Sequence, residues 1–161
     1  MPTVYIETSI VSYLRSQLSS QTVVAARQLL TRRWWDHERH QCDAVTSQYV
    51  LTEAADGSPE LAEQRLRWLD DIPLLDVPDD IPLLAEELLK RTSLPSKARI
   101  DALHIATAAY HEIDYLLTWN CAHIANFRIL PQIRTVLVSL GHAVPTICTP
   151  EEMLGDEQVT E

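Results

Sequence analysis

The chain has 161 residues, of which 46% are hydrophobic and 22% are charged, a composition typical of a soluble globular domain rather than a disordered or fibrous chain. No segment approaches the roughly 18 consecutive apolar residues that a membrane-spanning helix needs. The net charge of −10 argues against a general nucleic-acid coating protein, because such proteins neutralise phosphates with Lys and Arg. It does not exclude an enzyme with an acidic metal site, which needs only a local basic patch to hold nucleic acid.

The beginning of the chain and its cysteines favour a cytoplasmic protein. A strand pattern begins at Thr3, with neither a basic region nor an apolar stretch before it, so we expect no secretory signal. Cys42, Cys121 and Cys148 are odd in number, widely spaced and outside any C-x-x-C motif. We therefore expect three reduced thiols.

Short β-branched runs alternate along the chain with longer runs of helical periodicity, the pattern of an α/β fold with a mostly parallel sheet. We predict a three-layer α/β/α domain of about four to five strands over residues 1–150, and an acidic tail at 151–161 that is frayed or disordered. In chain order the elements are a strand at 3–6, a helix at 22–40, a strand at 44–45, helices at 47–57 and 59–69, a strand at 73–77, helices at 79–91 and 98–110, a strand at 115–118, helical segments near 122 and at 131–140, and an edge strand at 146–148.

Several common site motifs are absent from the sequence. There is no P-loop, no G-x-G-x-x-G and no G-x-S-x-G, and three glycines leave little material for a phosphate-binding loop. His37 and His40 share a helix face, and Cys42 follows them, so a zinc site stays open as an interpretation. A polar helix end is the stronger interpretation, because no fourth ligand is evident.

Four polar residues are placed where parallel sheets carry their sites. Glu7 directly follows the first predicted strand, and Asn120 follows the strand at 115–118; both positions lie at the carboxyl edge of a parallel sheet. Glu53 lies on a mostly apolar helix and Asp101 opens another. Taken singly, each has an ordinary explanation as a first-turn, capping, solvated or turn residue. Together they form a candidate site for Mg²⁺ or Mn²⁺, since clustered carboxylates need a cation.

These segments resemble the successive motifs of PIN domains, and most of all those of the VapC-like toxins of bacterial toxin–antitoxin pairs. The resemblance covers residues 3–150 with the elements in the expected order. Its motifs are Tyr-Ile-Glu-Thr-Ser-Ile at residues 5–10, the helix that bears Glu53, Asp-Ala-Leu-His-Ile-Ala-Thr-Ala at residues 101–108, and Leu-Leu-Thr-Trp-Asn at residues 116–120.

The resemblance implies a metal-dependent endoribonuclease that holds one or two Mg²⁺ or Mn²⁺ ions, and it implies an RNA substrate and an antitoxin partner. The bound metal would activate a water molecule and clamp the scissile phosphate. Carried over position by position, the catalytic and metal-binding acids are Glu7, Glu53 and Asp101, the fourth metal position is Asn120, and the supporting hydroxyls are those of Ser9 and Thr118.

Two departures from the family pattern leave alternatives open. The first-strand acid is usually Asp, whereas here it is Glu7, and the fourth acid is replaced by the uncharged Asn120, which would hold a second metal less firmly. A catalytically weakened PIN fold that binds RNA or protein is therefore the second hypothesis. A small hydrolase or phosphatase with Glu7 or Asp101 as nucleophile is the third, and it lacks a phosphate-binding element.

We also predict a homodimer. PIN-domain toxins, which the chain resembles, commonly pair. In addition, Trp34, Trp35 and Trp68 are more than one small core readily buries, although burial of all three in the core is the alternative.

Overall fold

All four strands of the central sheet run parallel, as the alternating pattern predicted. The structure is a computed structural model that describes residues 1–160, with the side chains of residues 1–155. Each parallel pairing requires a crossover, and the crossovers contain the helices that flank the sheet, so the predicted α/β fold is confirmed. The strands lie in the order β2-β1-β3-β4 and are β1 (Thr3–Ile6), β2 (Asp43–Val45), β3 (Tyr115–Leu117) and β4 (Thr146–Cys148).

Helices occupy most of the chain between the strands. One of them, the six-residue helix at Thr8–Tyr13 directly after β1, was missed by the periodicity, because it is too short to show a repeating apolar face. Short 3₁₀ turns at Arg39–Gln41 and Ser96–Ala98 precede β2 and the helix that begins at Arg99. The helices are α1 (Thr8–Tyr13), α2 (Thr22–His37), α3 (Gln48–Ala54), α4 (Pro59–Leu69), α5 (Asp80–Arg91), α6 (Arg99–Tyr110), α7 (Leu130–Ser139) and α8 (Pro150–Thr160).

The strand predicted at residues 73–77 is wrong. That segment makes one isolated parallel bridge, between Thr46 and Leu74. The carbonyl of Asp76 then accepts a hydrogen bond from Nε2 of His111 at 2.6 Å, so the chain leaves the sheet after the bridge. The apolar run looked like a strand, but Leu74 is half exposed and does not belong to a buried sheet.

The helical segment predicted near residue 122 is a series of turns instead. The backbone N–H groups of Ile124 and Ala125 both donate to the carbonyl of Asn120, at 3.1 and 2.8 Å. Those two bonds reverse the chain directly after Asn120 and keep the following loop close to the end of β3.

The acidic tail begins as helix α8, which contacts α2 and buries Leu154. Gly155 interrupts its geometry with a φ of 73°, a left-handed conformation that glycine adopts without strain. Glu161 lies outside the described residues. The division into a domain at residues 1–150 and a tail at 151–161 stays a prediction.

The tryptophans lie in or against the core rather than on a free surface. Trp34 and Trp35 are buried, and the half-buried Trp68 packs its ring 5.5 Å from that of Trp35. These residues therefore give no support to the predicted dimer, which rests on the family resemblance alone. Across the described residues, every helix is too short or too polar to traverse a lipid bilayer.

Candidate metal centre and active site

Glu7 is fixed at the junction of β1 and α1. Its backbone N–H donates to the carbonyl of Leu117 at 3.2 Å and so continues the pairing of β1 with β3. Its extended backbone makes it the N-cap of α1, where Oε2 accepts a hydrogen bond from the N–H of Ser9 at 3.1 Å. Glu7 is 4% exposed, so its carboxylate is buried at the carboxyl edge of the sheet.

Two hydroxyl groups connect this carboxylate to the loop after β3. Ser9 Oγ donates to Oε2 of Glu7 and accepts from the N–H of Trp119 at 2.8 Å. Thr118 Oγ1 donates to the same oxygen at 2.7 Å and accepts from the N–H of Asn120 at 2.9 Å. Both hydroxyls thus position Glu7, which is compatible with their predicted supporting role.

Glu53 reaches the same edge from α3. Its Oε1 accepts hydrogen bonds from Thr8 Oγ1 at 2.6 Å and from Nε2 of His104 at 2.5 Å. Burial raises the pKa of the Glu53 carboxyl, but the hydrogen bond and electrostatic attraction of His104, together with the hydrogen bond from Thr8, outweigh it. The pKa of Glu53 therefore lies below its ordinary value of 4.5, and Glu53 is a carboxylate at neutral pH.

The structure brings Glu7 and Glu53 together, and it adds His104 to them. One potential ligand atom from each of the three lies within 4.8 Å of the others. Among the side chains that the structure describes, this is the one such group of metal-binding residues. His37, His40 and Cys42 form none, so the structure gives no support to a zinc site there.

Asp101 lies in the first turn of α6 and pairs with the loop after β3. Its Oδ1 accepts from Nδ2 of Asn120 at 3.0 Å, and its Oδ2 lies 2.9 Å from Nδ1 of His123. Asn120 Oδ1 accepts from the N–H of His123 at 3.0 Å, which turns the amide nitrogen toward Asp101. Asp101 and Asn120 therefore interact directly, and the hydroxyl of Thr118 links them to Glu7.

Sequence reasoning missed the two histidines of this region. His104 follows Asp101 by three residues, which places both on one face of α6. A histidine within the small and apolar run at residues 102–109, which is buried in α6, was the available signal, since a buried polar side chain needs a partner. His123 follows Asn120 by three residues, and no periodic pattern marks it.

The donor set fits a divalent cation with a preference for oxygen. Among the described residues, Glu7 Oε1 and Glu53 Oε2 accept no hydrogen bond, so each carboxylate keeps one oxygen for ligation. Mg²⁺ binds through one or two carboxylates with water completing its shell, and Mn²⁺ accepts similar ligands. Two negative charges at close range also repel each other, and a cation would relieve that repulsion.

The comparisons with known proteins agree with the motifs. The family model of the PIN domain matches residues 4–120, a span that contains Glu7, Glu53, Asp101 and Asn120. The chain belongs to the PIN domain family. No curated protein sequence matches it.

A solved structure shows the same fold. The crystal structure of VapC20 from Mycobacterium tuberculosis, described as a Sarcin-Ricin loop cleaving toxin, superposes with a TM-score of 0.57 at 18% sequence identity. The match covers 74% of this chain and 91% of VapC20. The PIN-domain recognition and the α/β architecture are therefore confirmed.

Proposed function

We propose that this PIN-domain protein is a metal-dependent endoribonuclease and the toxin of a toxin–antitoxin pair. The observation that carries the proposal is the meeting of Glu7 and Glu53, from two separate elements, at the carboxyl edge of the sheet, with one oxygen of each accepting no hydrogen bond from the described residues. VapC20, which shares the fold, is described as a toxin that cleaves the Sarcin-Ricin loop. RNA is accordingly the proposed substrate.

Glu7 and Glu53 would hold Mg²⁺ or Mn²⁺, with Asp101 and Asn120 as the further metal positions. Such an ion lowers the pKa of bound water and neutralises charge on a phosphate. Within the protein, the hydroxyls of Ser9 and Thr118 orient the Glu7 carboxylate through Oε2.

The catalytic roles can be tested with RNA cleavage by the purified full chain in Mn²⁺, with and without a chelator. We expect cleavage in Mn²⁺, none with chelator, and a loss of at least about 100-fold in Glu7→Gln, because the variant removes a carboxylate charge that would hold the cation, and losing one preorganised electrostatic group of an active site typically costs that much. Asp101→Ala should lose cleavage as well. Cleavage that survives both the chelator and Glu7→Gln would contradict the proposal.

Asp114→Asn is the matched control for these variants. Asp114 precedes β3 at the opposite edge of the sheet and accepts hydrogen bonds from Thr3. Its substitution removes one carboxylate charge, as Glu7→Gln does, and should leave cleavage unchanged.

A catalytically weakened PIN fold that binds RNA or protein is the second candidate. It is favoured by the Asp101 contacts, because both carboxylate oxygens are already occupied, one by the amide of Asn120 and one by His123. RNA binding without cleavage in either Mg²⁺ or Mn²⁺ would support it over the nuclease.

The proposal also includes two protein partners, an antitoxin and a second copy of the chain, as expected of a VapC-like toxin. It places the protein in the cytoplasm, where RNA is available as substrate.

A further inference from the structure

A continuous chain of buried hydrogen bonds ends on Glu53. Ser47 Oγ lies 2.7 Å from the hydroxyl of Tyr5, that hydroxyl lies 2.8 Å from Nδ1 of His104, and Nε2 of His104 lies 2.5 Å from Oε1 of Glu53. Ser47, Tyr5 and His104 are 0% exposed. Ser47 precedes α3, Tyr5 is in the middle of β1 and His104 is in the middle of α6. This series of hydrogen bonds therefore joins three elements next to the candidate site.

The carboxylate at the end of this series of hydrogen bonds fixes the direction of the last one. A carboxylate only accepts hydrogen bonds, so Nε2 of His104 carries the proton in its 2.5 Å contact with Oε1 of Glu53. Burial raises the pKa of Tyr5, which keeps its hydroxyl protonated and available as a donor. Nδ1 of His104 is paired with the Tyr5 hydroxyl at 2.8 Å, and that hydroxyl is paired with Ser47 Oγ at 2.7 Å, whichever atom of each pair donates.

We propose that Tyr5 and His104 form a positioning relay for Glu53, in which His104 donates through Nε2 and is not itself a metal ligand. A protonated Nε2 has no lone pair to offer a cation, and Nδ1 is occupied by Tyr5. The relay orients the Glu53 carboxylate through Oε1 and leaves Oε2 for the cation. The proposal depends on the proposed function only where it treats Glu53 as a metal ligand.

Outer partners of this kind have measurable effects in metal sites. They fix the orientation and basicity of a ligand, and their loss typically lowers metal affinity about 10- to 100-fold. Tyr5→Phe removes one oxygen atom and preserves the ring, so it breaks the relay with little change in volume.

The first test reads the tautomer of His104 directly by ¹⁵N NMR of the metal-free full chain. We expect Nε2 of His104 to carry a proton, as its contact with Oε1 of Glu53 requires. The His104 signals are those that disappear in the spectrum of His104→Gln. The same signals should change position in Tyr5→Phe, which provides an independent assignment. A deprotonated Nε2 would overturn the relay.

The second test measures Mn²⁺ binding by calorimetry in wild type, Tyr5→Phe and Tyr115→Phe. Tyr115 lies on β3 beside β1, and its hydroxyl has no hydrogen-bond partner among the described residues, so Tyr115→Phe is the matched control. We expect Tyr5→Phe to bind Mn²⁺ about 10-fold more weakly and Tyr115→Phe to bind as wild type does. Unchanged affinity in a folded Tyr5→Phe, verified by circular dichroism, would overturn the relay.

Electron spin-echo spectroscopy of bound Mn²⁺ separates a ligand from an outer partner. We expect no nitrogen coupling of the strength that direct coordination gives, and such a coupling in wild type that disappears in His104→Gln would overturn the relay. If wild type binds no Mn²⁺ at all, the proposed function fails, whereas the tautomer in the metal-free protein still decides the relay.

Discussion

Glu53 Oε1 and His104 Nε2 lie 2.5 Å apart, although 51 residues separate them in the sequence. The contact joins α3 to α6 beneath the carboxyl edge of the sheet, and it lowers the pKa of Glu53 against the opposing effect of burial. Glu53 is a charged, partly buried carboxylate that is fixed through Oε1, so its Oε2 is suited to bind a cation. The same interaction makes the stability of the fold depend on pH.

The first prediction concerns acid stability. The pKa of Glu53 is lower in the folded state than its ordinary 4.5, so the unfolded chain binds the proton more readily. The stabilisation from ionised Glu53 is therefore complete above about pH 4.5 and is lost as the pH falls through the folded pKa. Urea unfolding of wild type and Glu53→Gln between about pH 3.5 and 7 measures the difference in their free energies of unfolding.

We expect that difference to be constant at the upper end of the range and to shrink below about pH 4.5. Glu63→Gln is the control, because Glu63 forms an exposed ion pair with Arg67 and such pairs contribute little. A difference between wild type and Glu53→Gln that grows on acidification would contradict the pKa shift.

The second prediction concerns Asn120. In the metal-free protein, Asn120→Asp replaces a donor to Asp101 with a second carboxylate at hydrogen-bonding distance. We expect the metal-free variant to lose about 1 kcal/mol or more of stability through like-charge repulsion. Mn²⁺ should restore that stability and bind more tightly than it does to wild type, and cleavage should rise. Thermal unfolding with a Mn²⁺ titration, followed by RNA cleavage, measures all three effects.

Asn126→Asp introduces the same charge in the same loop and serves as the control. Its side chain donates to the carbonyl of Ala122 and accepts from the N–H of Arg128, away from Asp101. If Asn120→Asp behaves like Asn126→Asp in Mn²⁺ affinity and in cleavage, residue 120 is outside the metal site.

The third prediction concerns the hydroxyl of Thr118, which both donates to Glu7 and accepts from Asn120. Thr118→Val preserves shape, removes one of three hydrogen bonds to Glu7 Oε2 and leaves the N–H of Asn120 without its acceptor, so we expect a loss of about 1–3 kcal/mol in unfolding free energy and weaker Mn²⁺ binding. Thr107→Val is the matched control, since Thr107 is equally buried and its hydroxyl bonds only within α6, to the carbonyl of Leu103. Equal Mn²⁺ affinities in the two variants would show that Thr118 does not position Glu7.

The fourth prediction is the homodimer. We expect light scattering at micromolar concentration to give the mass of two 18.3 kDa chains. Because the tryptophans belong to the core, Trp68→Phe should reduce stability without changing the oligomeric state. A mass of one chain across the concentration range would remove the dimer from the proposal.

The short apolar runs allowed most of the sheet to be predicted because strands buried on both faces carry a strong local signal. β1 and β3 follow that rule, whereas β4 lies at the edge of the sheet with Thr146 exposed. The run at residues 73–77 is also largely apolar, yet only Leu74 forms a bridge, with Thr46, and the carbonyl of Asp76 bonds to Nε2 of His111 instead. The position of Glu7 could be predicted for a similar reason, because the carboxyl ends of parallel strands lie at the same edge of the sheet.

The sequence by itself determined the alternation of strands and helices, the motifs of the family, and the positions of Glu7 and Asn120 just after strands, because each of these depends on neighbours within a few residues. The tertiary structure alone decided that His104 supports Glu53, that Tyr5 and Ser47 extend this support, and that Asp101 faces Asn120 and His123. Those contacts join elements separated by 19 to 99 residues. Their distances are set by how α3 and α6 pack against the sheet, which no local pattern of polar and apolar residues encodes.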